Sequence, residues 1–180
     1  MKHPIKIVLS GPESTGKTNL SIALARHYNT IWIPEYARNY LSKLNRSYQY
    51  DDLVHIARKQ VEEIQNIPEV SSGIIFFDTW LIITKVWFTE VFKRYPAWLD
   101  SEILKNKPDL FLLCMYDLPW QYDPLRENGS TERRAYLFDR YKTEIEKIDC
   151  KYQIISGFNV ERLNFAIQKI DQFIQNNVKG

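Results

Sequence analysis

The stretch Ile5-Lys6-Ile7-Val8-Leu9-Ser10-Gly11-Pro12-Glu13-Ser14-Thr15-Gly16-Lys17-Thr18 decides how the rest of the chain is read. Residues 11–18 fit G-x-x-x-x-G-K-[ST], the phosphate-binding loop. Gly11 and Gly16 let the backbone turn so that its N–H groups surround an anion, and the Glu13-Ser14-Thr15 stretch lies between them. A helix that follows offers its positive end to the same charge. In this pattern Lys17 reaches the β- and γ-phosphates and Thr18 ligates magnesium. The flanks match: an apolar, β-branched run at 5–9 predicts a strand, and 19–26 (NLSIALAR) predicts a helix.

The 180 residues suggest one domain with a proper core and no need of staples. Hydrophobic residues at 44% and charged residues at 26% are ordinary for a globular chain. The formal net charge of +2 argues against a dedicated nucleic-acid or membrane surface, which needs a concentrated basic patch. Cys114 and Cys150 lack metal-ligand spacing, and Cys114 reads as a buried thiol. The opening MKHPIK runs straight into the first strand, leaving no room for a signal peptide. The apolar runs fall short of the roughly 20 residues of a membrane span. A reduced, cytoplasmic setting is the expectation.

Strand and helix signals then alternate. Strands are expected at 5–9, 30–33, 73–78, 109–114 and 152–156, and helices at 16–28, 36–44, 51–65, 81–93, 98–105, 131–148 and 160–176. Residues 73–78 and 109–114 are continuous apolar runs, as buried parallel strands are. The expectation is an α/β fold: a single P-loop NTPase domain over residues 1–180, its five-stranded parallel sheet carrying helices on both faces. Residues 116–134 are polar and irregular, and a loop that long in a compact domain is usually functional.

Ligands of such sheets lie beyond the carboxyl ends of the strands. Asp78 ends the third strand, where an acid near the phosphate loop serves magnesium; capping the next helix is the alternative role. Glu35 follows the second strand and faces the acceptor side, able to bind a hydroxyl or take its proton, or else to balance a helix dipole. Arg38, one turn on, pairs with Glu35 or contacts substrate. In 116–134, Arg126 and Arg133 or Arg134 are candidate cations of a lid closing over the phosphates, with Asp123 positioning Arg126; a solvated helix start is the alternative. Tyr36, Trp80, Trp87, Trp98 and Trp120 are candidates to stack on a base, with Trp80 and Trp120 favoured by following strand ends. His3, His27 and His55 form no constellation.

Taken together these motifs resemble the ribosylnicotinamide kinase domain of NadR-type bacterial proteins. The resemblance is carried by GPESTGKT at 11–18, Pro34-Glu35-Tyr36-Ala37-Arg38, Phe77-Asp78-Thr79, Leu118-Pro119-Trp120 with Asp123 and Arg126, and Ser156-Gly157 with Arg162. It implies ATP-dependent phosphorylation of the 5′-hydroxyl of nicotinamide riboside, with Lys17 and Thr18 at ATP and Mg²⁺, Asp78 at metal and acceptor, Arg126 on the lid and Gly157 beside adenine. The family commonly carries Asp-Thr-Asp where this chain has Asp78-Thr79-Trp80, so an indole replaces an acid near the expected acceptor. Adenylyltransferase and DNA-binding activities of longer family members are not carried over, because the chain begins at the kinase strand. Two other readings stay open: a deoxynucleoside or nucleoside-monophosphate kinase, with Arg38 and Arg46 as the cations for an acceptor phosphate, and a non-catalytic ATP-binding module.

Overall fold

The computed structural model describes residues 4–178; His3 lies outside them. Five strands, β1 (Ile5–Ser10), β2 (Trp32–Ile33), β3 (Ile74–Asp78), β4 (Leu110–Cys114) and β5 (Tyr152–Ile155), form one sheet in the order β2-β3-β1-β4-β5, all parallel. Among the described residues six helices lie between the strands, α1 (Lys17–His27), α2 (Tyr36–Leu41), α3 (Tyr50–Gln65), α4 (Leu81–Phe92), α5 (Trp98–Lys105) and α6 (Thr131–Lys147), and α7 (Asn159–Val178) follows β5.

Side chains alternate across a strand, and the two faces bury separate cores. Ile7, Leu9, Phe76, Leu110 and Leu112 meet Leu20 and Leu24 of α1 and Ala166 and Ile170 of α7. Val8, Ile75, Phe77, Phe111 and Leu113 meet Leu53, Val86, Leu99 and Ile145 of α3 to α6. With both faces covered, β3 and β4 are buried at every position, which is why they read as unbroken apolar runs. Among the described residues no helix is long and apolar enough to cross a membrane.

The order of strands sets the place of the site. β1 is central, and its register with β3 puts Leu9 beside Asp78. The backbone N–H of Thr79 donates to the Leu9 carbonyl at 3.1 Å. The acid closing β3 is thereby fixed next to the residues that leave β1.

Candidate active site

Beyond β1 the backbone folds into a cradle. Gly11 has φ +139°, Ser14 +56° and Gly16 +74°, so the loop repeatedly enters conformations that favour glycine or tight turns. Gly11 also packs against β4: a Cβ there would lie 2.6 Å from the Cys114 carbonyl oxygen. Thr15 Oγ1 donates to the Pro12 carbonyl at 2.9 Å, closing the loop on itself. Lys17 Nζ donates to the carbonyls of Gly11 and Pro12 at 2.9 and 2.8 Å, which holds the ammonium at the mouth of the loop.

The acidic residues gather opposite Lys17. Thr18 Oγ1 donates to Asp78 Oδ2 at 2.5 Å, while Asp78 Oδ1 is buried with no hydrogen-bond partner. Asp78 does not cap α4; the capping position is Trp80, after a left-handed Thr79 at φ +71°. Burial pushes the Asp78 carboxyl above its ordinary range, against the opposing pull of Lys17 and the Thr18 hydroxyl. Glu35 is raised too, first by burial and further by Asp78, with Lys17 and Arg38 opposing. The Thr18 hydroxyl and the free lone pairs of Asp78 Oδ1 fit magnesium, an ion usually bound through one or two side chains, waters and phosphates. Consistent with that thin donor set, the described residues contain no cluster of three or more His, Cys, Asp or Glu side chains able to hold a metal.

A cleft of about 790 Å³ opens above this edge. The phosphate loop, Lys17, Thr18, Glu35, Arg38, Arg126 and Arg133 all line it. One wall is apolar and aromatic, with Leu41, Leu44, Tyr48, Ile83, Val86, Trp87 and Tyr141. The Tyr48 and Trp87 rings meet edge to face at 5.0 Å, and Trp87 Nε1 donates to the Tyr48 hydroxyl at 3.1 Å. That hydroxyl in turn donates to Glu127 Oε2 at 3.2 Å.

The segment between β4 and α6 lies across the loop. Glu13 accepts hydrogen bonds from the backbone N–H groups of Glu127 and Asn128 at 3.2 and 2.8 Å, and from Asn128 Nδ2 at 3.2 Å. Ser14 Oγ accepts from the Gln121 N–H at 3.1 Å. Arg133 donates from Nε to Asn128 Oδ1 at 3.0 Å and pairs with Glu90 at 3.0 Å. Arg126 donates to the Gln121 carbonyl at 2.7 Å. Arg38 pairs with Asp123 at 2.8 Å, and Arg46 grips Asp52 with two bonds of 2.6 and 2.9 Å.

Several residues expected at the site sit elsewhere. Trp80, expected at the acceptor, is instead a core residue, 2% exposed and edge-on to Phe111 at 5.6 Å. Trp120 packs under the lid segment, its indole within 3.2 Å of where a Gly129 Cβ would be. The Tyr36 hydroxyl bonds His55 Nε2 at 2.8 Å, on the far side of α2 from the cleft lining. Trp98 stacks against Arg58. The Asp123 carboxylate is engaged by Arg38, while its carbonyl accepts the Arg126 N–H at 2.9 Å. Gly157 does not line the cleft, but its neighbours Phe158 and Asn159 do; its N–H donates to Asp117 at 2.7 Å. Sequence reasoning missed Tyr48 and Glu90 as cleft residues and gave Glu127 and Asn128, inside the 116–134 loop, no role in binding. A polar residue in a long loop, or an acid in the last turn of a helix, carries no pattern of its own.

Fold and site together define a P-loop nucleotide-binding domain of the kind built on a five-stranded parallel sheet. The chain belongs to the AAA domain family, whose model matches residues 6–162. It is similar to the trifunctional NAD biosynthesis/regulator protein NadR of Escherichia coli, 30% identical over 132 residues, which are 71% of this chain and 32% of that protein. The NadR of Salmonella typhimurium is 29% identical over 135 residues, 72% of this chain and 33% of that protein. The chain thus spans about a third of the length of these relatives. Crystal structures of NadR, in complex with NAD and AMP-PNP and in complex with NR, superpose with TM-score 0.76 at 22% identity, covering 94% of this chain and 49% of theirs. A thymidylate kinase from Ehrlichia chaffeensis matches with TM-score 0.63 at 14% identity over 96% of this chain and all of its own. At these identities the structural likeness establishes the fold.

Proposed function

We propose that this chain is an ATP-dependent kinase that phosphorylates the 5′-hydroxyl of a riboside, with nicotinamide riboside the first acceptor to test. The observation that carries this reading is the pairing of charges on the acceptor side. Glu35 and Asp78 face Lys17 with no carboxylate-binding arginine of their own, whereas Arg38 and Arg46 are already held by Asp123 and Asp52. An acceptor that already carries a phosphate needs free cations there; a neutral hydroxyl needs a base. Similarity to NadR supports the choice of riboside, and one NadR crystal structure holds NR.

In this reading the loop's N–H groups and Lys17 bind the phosphate chain of ATP and hold its γ-phosphoryl in line with the acceptor. Thr18 and Asp78 would hold magnesium, which would offset charge on the phosphates. Glu35 orients the 5′-hydroxyl and takes its proton as the new O–P bond forms and the bond to the β-phosphate breaks. Its raised pKa brings it nearer the operating pH, where a general base works best. Arg126 adds positive charge from the 116–134 segment, Arg133 joins it on leaving Glu90, and the segment tied to Glu13 keeps water from competing for the phosphoryl group. Tyr48 and Trp87 supply the aromatic wall for the acceptor's ring.

The test is phosphate transfer from ATP to a panel of acceptors, with nicotinamide riboside, other ribosides, deoxynucleosides and nucleoside monophosphates run side by side. Transfer to ribosides, lost in Lys17→Ala, supports the proposal. Transfer only to monophosphates, or ATP binding with no transfer to any acceptor, overturns it.

A further inference from the structure

Two buried arginines stand behind the phosphate loop, out of the cleft. Arg134, in the first turn of α6, is 3% exposed; its Nη2 donates to the carbonyls of Ser14 at 3.2 Å and Leu118 at 2.9 Å. Arg162, in the first turns of α7, is 4% exposed. Its Nη2 donates to the carbonyls of Thr15 at 3.0 Å and Met115 at 3.1 Å, and its Nη1 to Asp117 at 2.8 Å and the Gly157 carbonyl at 2.9 Å. The two guanidiniums therefore take consecutive carbonyls of the same loop.

A peptide whose carbonyl points backward presents its N–H forward. The Ser14 carbonyl shares a peptide unit with the Thr15 N–H, and the Thr15 carbonyl with the Gly16 N–H. A cation bound to each oxygen polarises that peptide and strengthens the donor on its far side. It also fixes the turn, because each arginine is anchored a second time: Arg134 at Leu118, Arg162 at Met115, Asp117 and Gly157.

Arg134 carries the second observation. Among the described residues it makes no ion pair within 4 Å, and its Nε is buried without a partner. Burial pushes its pKa down, which marks a charge held at a cost. A buried cation bonded only to carbonyl oxygens, with the Asp117 and Glu13 carboxylates acting on it from beyond ion-pair distance, is relieved when an anion settles on the other side of those peptides. The acid at Arg162, Asp117, is spent on tying β4 to the turn before α7.

We propose that Arg134 and Arg162 are positioning residues of the phosphate loop, setting its affinity for a polyphosphate chain through the Ser14 and Thr15 peptides without touching the ligand. The proposal rests on the reading that the phosphate chain sits in residues 11–18. It assigns Arg134 the opposite place from a lid cation: behind the loop, and silent toward the acceptor.

The experiment compares the parent with Arg134→Lys, Arg134→Met, Arg162→Lys and Arg162→Met. Calorimetry measures binding of ATP and of inorganic tripolyphosphate, which has no base. Thermal unfolding and the amide proton shifts of Thr15 and Gly16 in the tripolyphosphate complex are recorded on the same samples. Arg134→Met is expected to weaken tripolyphosphate and ATP by about tenfold each, the scale of a charge-assisted hydrogen bond. It should move the Thr15 amide while leaving the acceptor KM at saturating ATP unchanged, and Arg134→Lys should recover part of the loss. Parent-like affinity for both ligands in Arg134→Met, or equal losses in the lysine and methionine variants, overturns the proposal. Should Arg162→Met not fold, Arg162→Lys and the Arg134 pair still decide it. No tripolyphosphate or ATP binding by the parent overturns the phosphate-loop reading itself, and this proposal with it.

Discussion

Gly11→Ala is the substitution the structure penalises most legibly. Gly11 has φ +139°, a conformation L-residues avoid, and holding alanine there costs about 1–3 kcal/mol. The new methyl would also lie 2.6 Å from the Cys114 carbonyl oxygen and 3.2 Å from the Cys114 Cβ. That oxygen belongs to the end of β4, which pairs with β1 on one side and β5 on the other, so it cannot swing away. Forced overlap in a packed site adds about 1–3 kcal/mol. The sum, about 2–6 kcal/mol, corresponds to a fall in Tm of roughly 4–24 °C for a chain of this size. Gly73→Ala is the internal control: its φ is +69°, but nothing lies within 4 Å of the added methyl, so only backbone strain of about 1–2 kcal/mol remains. Thermal unfolding followed by circular dichroism, with ATP affinity measured on the folded fraction, reads both. Gly11→Ala should lose several degrees more than Gly73→Ala and bind ATP at least tenfold more weakly. Equal Tm values for the two variants would refute the claim that β4 supports the loop by direct contact.

Glu35→Gln should lower kcat by roughly 10²–10⁴-fold, the scale of a lost general base, with ATP affinity retained. Because burial raises the Glu35 pKa, parent activity should fall as pH drops through a value above the ordinary glutamate range, and that limb should vanish in Glu35→Gln; a pH–rate profile decides it. Trp87→Ala should raise the acceptor KM about 5–150-fold, the scale of a lost base-stacking contact, with Trp87→Phe intermediate and the ATP KM within about twofold; steady-state kinetics would count against the aromatic wall if the ATP KM moved instead. Asp52→Asn removes the carboxylate that binds Arg46 twice, takes the Tyr40 hydroxyl at 2.8 Å and closes the Gln49 cap of α3; urea unfolding should show a loss of about 1–3 kcal/mol at neutral pH. Arg46 holds the Asp52 pKa far below its ordinary value. This stabilisation is therefore full above the unfolded carboxylate range and is lost as pH falls toward the folded pKa, so parent and variant should converge in acid.

Most of the architecture was legible because apolar periodicity is long-lived along this chain. The expected face of α3, Leu53, Ile56, Ala57 and Ile64, is buried as a set, and the strands start and stop within two residues of their expected bounds. β2 is shorter than its apolar run because Thr30 is tied to the end of α1: its N–H donates to the Ala25 carbonyl at 2.9 Å. The phosphate loop, Asp78 and Glu35 were legible because they sit where strands end. Trp80 was misplaced by the same logic. The left-handed turn at Thr79 swings the next side chain back toward Phe111, and strand alternation does not register a turn of one residue. Of the aromatic wall, Trp87 was legible as a candidate to stack on a base and Tyr48 was not. Tyr48 and Trp87 are 39 positions apart in sequence and meet only through tertiary packing.

Cys114 gives the loop a chemical witness. Its thiol is fully buried at the top of β4, its Cβ lies directly beneath Gly11, and burial pushes its pKa up, so an alkylating reagent finds little thiolate and no path while the loop is seated. Cys150 lies at the opposite end of the sheet beside Pro108, part-exposed, with its pKa pushed up to about 11. The ratio of labelling at the two thiols therefore clocks how often the roof over β4 lifts, and a polyphosphate seated in the loop should slow Cys114 while leaving Cys150 to run at its own pace.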